Sequence, residues 1–200
     1  MKDVFKEIKE KFYFTGNIKE DSQKLLKAYG KCSVAEHSIG VAKEARIIAK
    51  QYVGNCNEAK IAGLLHDISG IYENKERLLL AEKLQLNIVE EEKVLPLILH
   101  QKISRVMAED LFQIKNKKIL SAIECHTTLK KNASKMDMVL FIADKIKWDQ
   151  KGIPPYLEKV QSELKISLEK GALCYIEEDI KNVQVIHPWL KEAYEDLKVK

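Results

Sequence analysis

Glycine and proline are scarce in this chain, eight and four residues among 200. That scarcity removes the turn chemistry a sheet-rich domain needs. Apolar residues recur instead at spacings of three and four along most segments, so the chain reads as all-α. No apolar run approaches the roughly 18 to 20 residues a membrane helix requires. The opening Met1-Lys-Asp-Val-Phe-Lys-Glu7 lacks the apolar stretch of a secretion signal, so no membrane association and a cytoplasmic location are expected. The four cysteines, Cys32, Cys56, Cys125 and Cys174, form no Cys-x-x-Cys pair, which excludes a zinc knot or a dithiol redox motif and leaves free thiols. Neither sign of charge dominates: 34 basic residues against 30 acidic ones leave +4, interspersed, and give no electrostatic case for a nucleic acid polymer as partner. No internal repeat and no linker-like segment divides the chain, and its length suffices for one sizeable core.

What is present is a series of amphipathic segments. Residues 1 to about 13 and 18 to 29 read as two short Lys/Glu-rich helices joined around Gly16-Asn17. Ser33-Val-Ala-Glu36 has the form of a capping box for a helix that runs to Tyr52 or Val53, with Gly54 as a left-handed stop. His37 joins its inward stripe of Val34, Val41, Ala45 and Ile48. The segment Asn57 to Asp67 carries Ala59, Ala62, Gly63 and His66 on one side, small residues that let another helix approach, and Ser69-Gly70 should end it. A helix over 74–86 shows a leucine-rich face and no candidate site. Pro96 suits the start of the next helix, where His100, Ile103, Met107 and Leu111 align. Asn116 should cap a helix with Ile119, Ala122, Ile123 and His126 on one face, followed by Thr127 and Thr128 in a loop. Ser134 then opens an apolar helix from Met136 to Trp148 that contains Asp144. Segments near 155–170, 171–182 and 188–198 close the domain. Pro154-Pro155 and His187-Pro188 mark their edges; His187 reads as a structural cap, and Trp148 and Trp189 as packing residues.

Placed on those elements, His37, His66, Asp67, His100, His126 and Asp144 all lie within or at the end of an apolar face. A lone histidine in such a setting is more often a satisfied core or cap residue than a ligand. Six together are different, because burying four imidazoles and two carboxylates in one small domain is expensive unless they converge on a cation. Imidazole and carboxylate without thiolate suit iron, manganese or zinc. Six ligands exceed what one open catalytic ion takes from protein, so two divalent ions sharing a carboxylate is the economical reading, with Asp67 as the bridge. Two metals roughly 3.5 to 4 Å apart suit phosphate-ester and anhydride hydrolysis by metal-bound hydroxide.

The order His37, His66-Asp67, Asp144 resembles the signature of the HD superfamily of metal-dependent phosphohydrolases, and His100 and His126 resemble its dinuclear subset. The segments Glu36-His-Ser-Ile-Gly-Val41, Ala59-Lys-Ile-Ala-Gly-Leu-Leu-His-Asp67, Ala122-Ile-Glu-Cys-His-Thr-Thr128, Phe141-Ile-Ala-Asp-Lys-Ile146 and Val185-Ile-His-Pro188 are similar to the bacterial YqeK family of symmetrical diadenosine tetraphosphate hydrolases. The resemblance covers about residues 33 to 198. It implies a single HD-domain helical bundle over 33–200 with residues 1–32 as an N-terminal helical extension. It further implies a bis(5′-nucleosyl)-tetraphosphatase that makes two ADP at two ions, iron foremost. The ligands would be His37, His66, Asp67, His100, His126 and Asp144, with His66 and Asp67 as the catalytic pair and Thr127 and Thr128 contacting substrate or merely capping. A nucleotide is the implied partner, and a homo-oligomer is compatible with it. Three departures stand out: Gly70 where the family carries a lysine, Leu129 where a glycine follows the threonine pair, and Lys147-Trp-Asp-Gln150 where Glu-Pro and an arginine are usual. They leave two alternatives open, a phosphohydrolase of smaller nucleotides and a non-catalytic metal- and nucleotide-binding regulatory module.

Overall fold

The computed structural model describes residues 3–147 and 152–199. Trp148 and the departure at Trp148-Asp-Gln150 therefore lie outside the described residues. The described residues form α1 (Lys6–Lys11), α2 (Ile18–Ala28), α3 (Cys32–Tyr52), α4 (Cys56–Leu65), a 3-10 turn over Ile68–Ile71, α5 (Asn74–Lys83) and α6 (Glu90–Val94). After a 3-10 turn over Pro96–Leu99 come α7 (His100–Asp110), α8 (Lys117–Glu124), α9 (Lys135–Ile146), α10 (Leu157–Leu164), α11 (Leu168–Asp179) and α12 (Pro188–Lys198). No strand occurs among the described residues, in agreement with the all-α expectation. No helix is long and apolar enough to cross a membrane.

Two apolar clusters build the interior. The larger joins α3, α4, α8, α9, α11 and α12 through residues such as Val41, Leu65, Ile123, Phe141 and Ile176. The smaller joins the first two helices to α7 through Phe5, Leu25, Leu26, Ile68, Leu99, Ile103 and Met107. The chain crosses from one cluster to the other between Leu65 and Ile68, and that crossing places His66 and Asp67. Gly63 makes the crossing geometrically tight. A Cβ there would stand 2.6 Å from Ala42 Cα and 2.7 Å from Ala42 N, so the stripe of small residues does let α4 close on α3.

Several local expectations need correction. Ser33 is not the cap of α3: the helix begins at Cys32, and its N-cap Lys31 makes no side-chain capping bond. Gly30, at φ +74°, turns the chain so sharply out of α2 that Lys31 N–H donates back to Leu26 O at 2.9 Å, and α3 starts from that turn. Gly54 behaves as expected, left-handed at φ +82° with its N–H on Ala49 O at 2.8 Å. Ser69-Gly70 does not stop the chain. It continues as the 3-10 turn, because Ser69 Oγ donates to His100 O at 2.9 Å and its N–H to Ser104 Oγ at 3.1 Å. α6 was not anticipated, and α11 starts at Leu168, capped by Ser167, with Gly171 inside it rather than at its edge. Ser134 and Asp137 form a capping box at the start of α9.

Candidate metal centre

Three of the four histidines reach the site by the same device. His66 ends α4, His100 follows a 3-10 turn into α7, and His126 ends the α8 segment. Each turns its Nδ1 back onto the carbonyl three residues earlier: Gly63 O at 2.8 Å, Leu97 O at 2.7 Å and Ile123 O at 2.8 Å. A backbone carbonyl can only accept, so Nδ1 carries the proton and Nε2 presents a lone pair. All three Nε2 atoms then face one another's neighbourhood, joined by that of His37.

The atoms divide into two groups. His37 Nε2 lies 3.0 Å from Asp144 Oδ1 and 3.3 Å from His66 Nε2, and His66 Nε2 lies 3.3 Å from Asp67 Oδ2. On the other side His100 Nε2 and His126 Nε2 are 2.9 Å apart, and they stand 3.3 and 3.4 Å from Asp67 Oδ1. Asp67 thus offers one oxygen to each group. Its Oδ1 is buried and has no hydrogen-bond partner. Opposed acceptors around an orphaned carboxylate oxygen fit a cation and fit nothing in the protein itself. The six residues predicted from sequence are all brought together, and three overlapping subsets of them could each hold an ion.

The electrostatics agree. Burial opposes charge on His66, yet Asp67 and Asp144 outweigh it and push the imidazole up to about 10. His126, buried beside His100 and His66, is held down at about 4. Against burial, the surrounding imidazoles, and Lys145 for Asp144, keep both Asp67 and Asp144 well below the ordinary carboxylate range. Without an ion the cluster draws a second proton onto His66, at Nε2; a divalent ion would take that proton's place.

A second tier of residues fixes this tier. Lys145 donates to Asp144 Oδ2 at 2.8 Å and leaves Oδ1 turned to the histidines; its ammonium also lies over the rings of Phe141 and Tyr175. Lys145 also lines the cleft, while Lys130 donates to Ser121 Oγ at 2.7 Å. Thr127 Oγ1 is 3.1 Å from His100 Nε2, whereas Thr128 is buried and donates to Leu129 O. Both threonine N–H groups point at Gln101 Oε1, at 3.0 and 3.4 Å. Gln101 escaped the sequence reading, although it follows His100 directly. So did Arg77, on the helix read as having no candidate site, which lines the cleft.

His187 does cap the last helix, accepting Trp189 N–H on Nδ1 at 3.1 Å, and its Nε2 meets Glu92 at 3.3 Å. Glu92 also pairs with Lys102 at 2.8 Å, so a buried ionic group ties α6, α7 and α12 at the edge of the cleft. The cleft over the centre has a volume of about 1040 Å³.

A helical bundle that gathers four histidines and two aspartates around one shared carboxylate has the make-up of a metal-dependent phosphohydrolase. The chain belongs to the HD domain family, which matches residues 34–149. It is 45% identical, over 71% of its length and 73% of the relative's, to the Lactococcus lactis subsp. cremoris protein described as the uncharacterized protein in pepC 5′ region. It is 28% identical, over 81% of its length and 87% of the relative's, to the symmetrical bis(5′-nucleosyl)-tetraphosphatase of Halalkalibacterium halodurans. Its fold matches a solved structure of a predicted HD superfamily hydrolase involved in NAD metabolism from Clostridium acetobutylicum. The TM-score is 0.83 at 23% identity, with 94% of this chain and 98% of that one covered. The resemblance read from the sequence agrees with these relatives: the protein is a phosphohydrolase of HD type.

Proposed function

We propose that this phosphohydrolase acts on dinucleoside polyphosphates and cuts diadenosine tetraphosphate symmetrically into two ADP. Its two divalent ions, iron or else manganese or zinc, would be held by His37, His66, Asp67, His100, His126 and Asp144. The observation that carries the reading is the division of the Asp67 carboxylate, Oδ2 toward His66 and Oδ1 toward His100 and His126. Ions in such a pair activate water and neutralise charge on the attacked phosphoryl group. The chain's own part is to present Nε2 lone pairs from rings whose Nδ1 protons are anchored, to hold Asp144 in place through Lys145, and to offer the Thr127 hydroxyl beside His100. Thr127 is the substrate contact in this reading, and Thr128 supports the loop. A cleft of about 1040 Å³ exceeds the needs of a mononucleotide and favours a longer ligand. The names of the Halalkalibacterium halodurans relative and of a Staphylococcus aureus relative, 30% identical over 55% of this chain, point the same way. Residues 1–32 serve as a helical extension buttressing the His100 side of the domain that starts at 33.

The test is product identity. The anaerobically purified enzyme, with close to two metal equivalents, should release two ADP per diadenosine tetraphosphate. Turnover by a metal-free preparation would sink the mechanism. Inorganic phosphate released from mononucleotides would support action on smaller nucleotides, and tight binding without product would support a regulatory module.

A further inference from the structure

The cleft wall carries a cation with no anion. Arg77, on α5, is only 7% exposed, yet it forms no ion pair among the described residues. The neighbouring Glu73 is taken by Lys31 at 2.5 Å, and Asp67 is committed to the histidines. The guanidinium is not loose. Nη1 donates to Leu97 O at 3.1 Å and Nη2 to Tyr72 O at 3.4 Å, while Nε is buried with no hydrogen-bond partner. Leu97 O is the same carbonyl that receives His100 Nδ1 at 2.7 Å. One oxygen therefore fixes both the imidazole at the centre and the guanidinium in the cleft wall. A buried, uncompensated charge with an unused donor is unfavourable by itself and becomes favourable when an oxyanion arrives. Its placement relative to His100 is set before any ligand enters, which is the preorganisation that binding of a charged group rewards.

We propose that Arg77 is a substrate-binding residue that holds a phosphate group of the polyphosphate chain on the His100 side of the centre. This rests on the phosphohydrolase reading of the site, though not on which nucleotide is cleaved. Its geometry suits a charge-assisted hydrogen bond from the free Nη protons to phosphate oxygens.

The chain has three arginines, Arg46, Arg77 and Arg105, so zinc-loaded, nitrogen-15-labelled protein should give three Nε–H signals in a correlation spectrum. Arg46 is exposed and Arg105 pairs with Glu109 at 3.0 Å, so neither competes for the assignment to the cleft. Arg77→Lys deletes one signal and identifies it. Titration of the wild type with inorganic pyrophosphate should move that signal saturably and leave the other two in place. In calorimetry, Arg77→Met should bind pyrophosphate at least tenfold more weakly at unchanged zinc content. An Arg77 signal that stays put at saturation, wild-type affinity in Arg77→Met, or no pyrophosphate binding by the wild type overturns the proposal. Loss of zinc together with binding also overturns it, because Arg77 would then be only a brace for His100. Failure of the anaerobically purified enzyme to release two ADP from the dinucleotide would refute the substrate reading alone.

Discussion

His100 Nε2 and His126 Nε2 face each other at 2.9 Å, each ring having already given its Nδ1 proton to a backbone carbonyl. Two lone pairs at that distance repel unless something positive lies against both. On the opposite side of Asp67, His37 Nε2 and His66 Nε2 meet at 3.3 Å beside Asp144 Oδ1, and a cation there would be shared by both rings and the carboxylate. His126→Ala should therefore bind about half the wild-type metal, whereas Asp67→Ala, which removes the shared carboxylate, should bind close to none. Elemental analysis of anaerobically purified variants reads both numbers. A full complement in His126→Ala would refute the assignment of that histidine.

Gly63 touches the site from behind. Its carbonyl holds His66, and its missing Cβ lets α4 lie against Ala42 on α3, the helix that carries His37. Gly63→Ala must push backbone, since the obstructing atoms are Ala42 Cα and N rather than a yielding side-chain end. We expect a loss of about 1–3 kcal/mol in stability and weaker metal retention, because His66 and His37 move apart. Thermal melts and metal titration check this together; an unchanged melting temperature would show that the two helices separate freely.

Much of the centre was legible in the sequence because its residues are chemically conspicuous and lie on helices whose apolar period shows which way they face. His37, His66, His100 and His126 each extend an apolar stripe, so their inward facing followed from helical spacing, and their convergence from the cost of burying them without a cation. What supports them was not legible. Gln101 is an ordinary polar residue next to a histidine, and only the tertiary approach of the loop after His126 makes it a partner. Arg77 sits on a segment that reads as a leucine-faced helix with no candidate site, and its anchoring on the carbonyls of Tyr72 and Leu97 is something no periodicity reveals. The start of α3 was misplaced because a good local signal at Ser33 lost to the turn at Gly30. Leu129 is a fourth case. It is buried and left-handed at φ +56°, a backbone conformation that favours glycine and that the residue type does not announce.

The buried group of Glu92, Lys102 and His187 gives a pH signature away from the metal residues. Burial works to raise the Glu92 carboxyl, but His187, Lys102 and the Val89 N–H outweigh it and hold it below its ordinary 4.5. A depressed folded value means that the unfolded chain takes up the proton first as pH falls. The stabilisation is therefore complete above about 4.5 and lost as pH drops through the folded value. Glu92→Gln, which leaves Lys102 buried without its anion, should be less stable at pH 7 by about 3 kcal/mol. The gap to wild type should narrow steadily below pH 4.5 in denaturant titrations. A gap that is constant with pH would show that Glu92 contributes no charge to the group.

Gln101 tests how the His100–His126 half is kept in register. Its Oε1 accepts from Thr127 and Thr128 N–H at 3.0 and 3.4 Å, and its Nε2 donates to Thr128 Oγ1 at 3.1 Å. These bonds fasten the residues after His126 to the first turn of α7, where His100 sits. Gln101→Met fills the same space and strands both N–H groups in the interior, at about 1–3 kcal/mol for each buried unsatisfied donor. The loop should then shift, and with it His126 and the Thr127 hydroxyl that lies 3.1 Å from His100 Nε2. Gln101→Glu keeps the acceptor, and the Thr128 hydroxyl, 3.4 Å away, can donate to it in turn. The expected result is that Gln101→Met loses metal from one half of the centre while Gln101→Glu retains most of it. Equal metal loss in the two variants would mean that packing volume, and not the acceptor, sets the register.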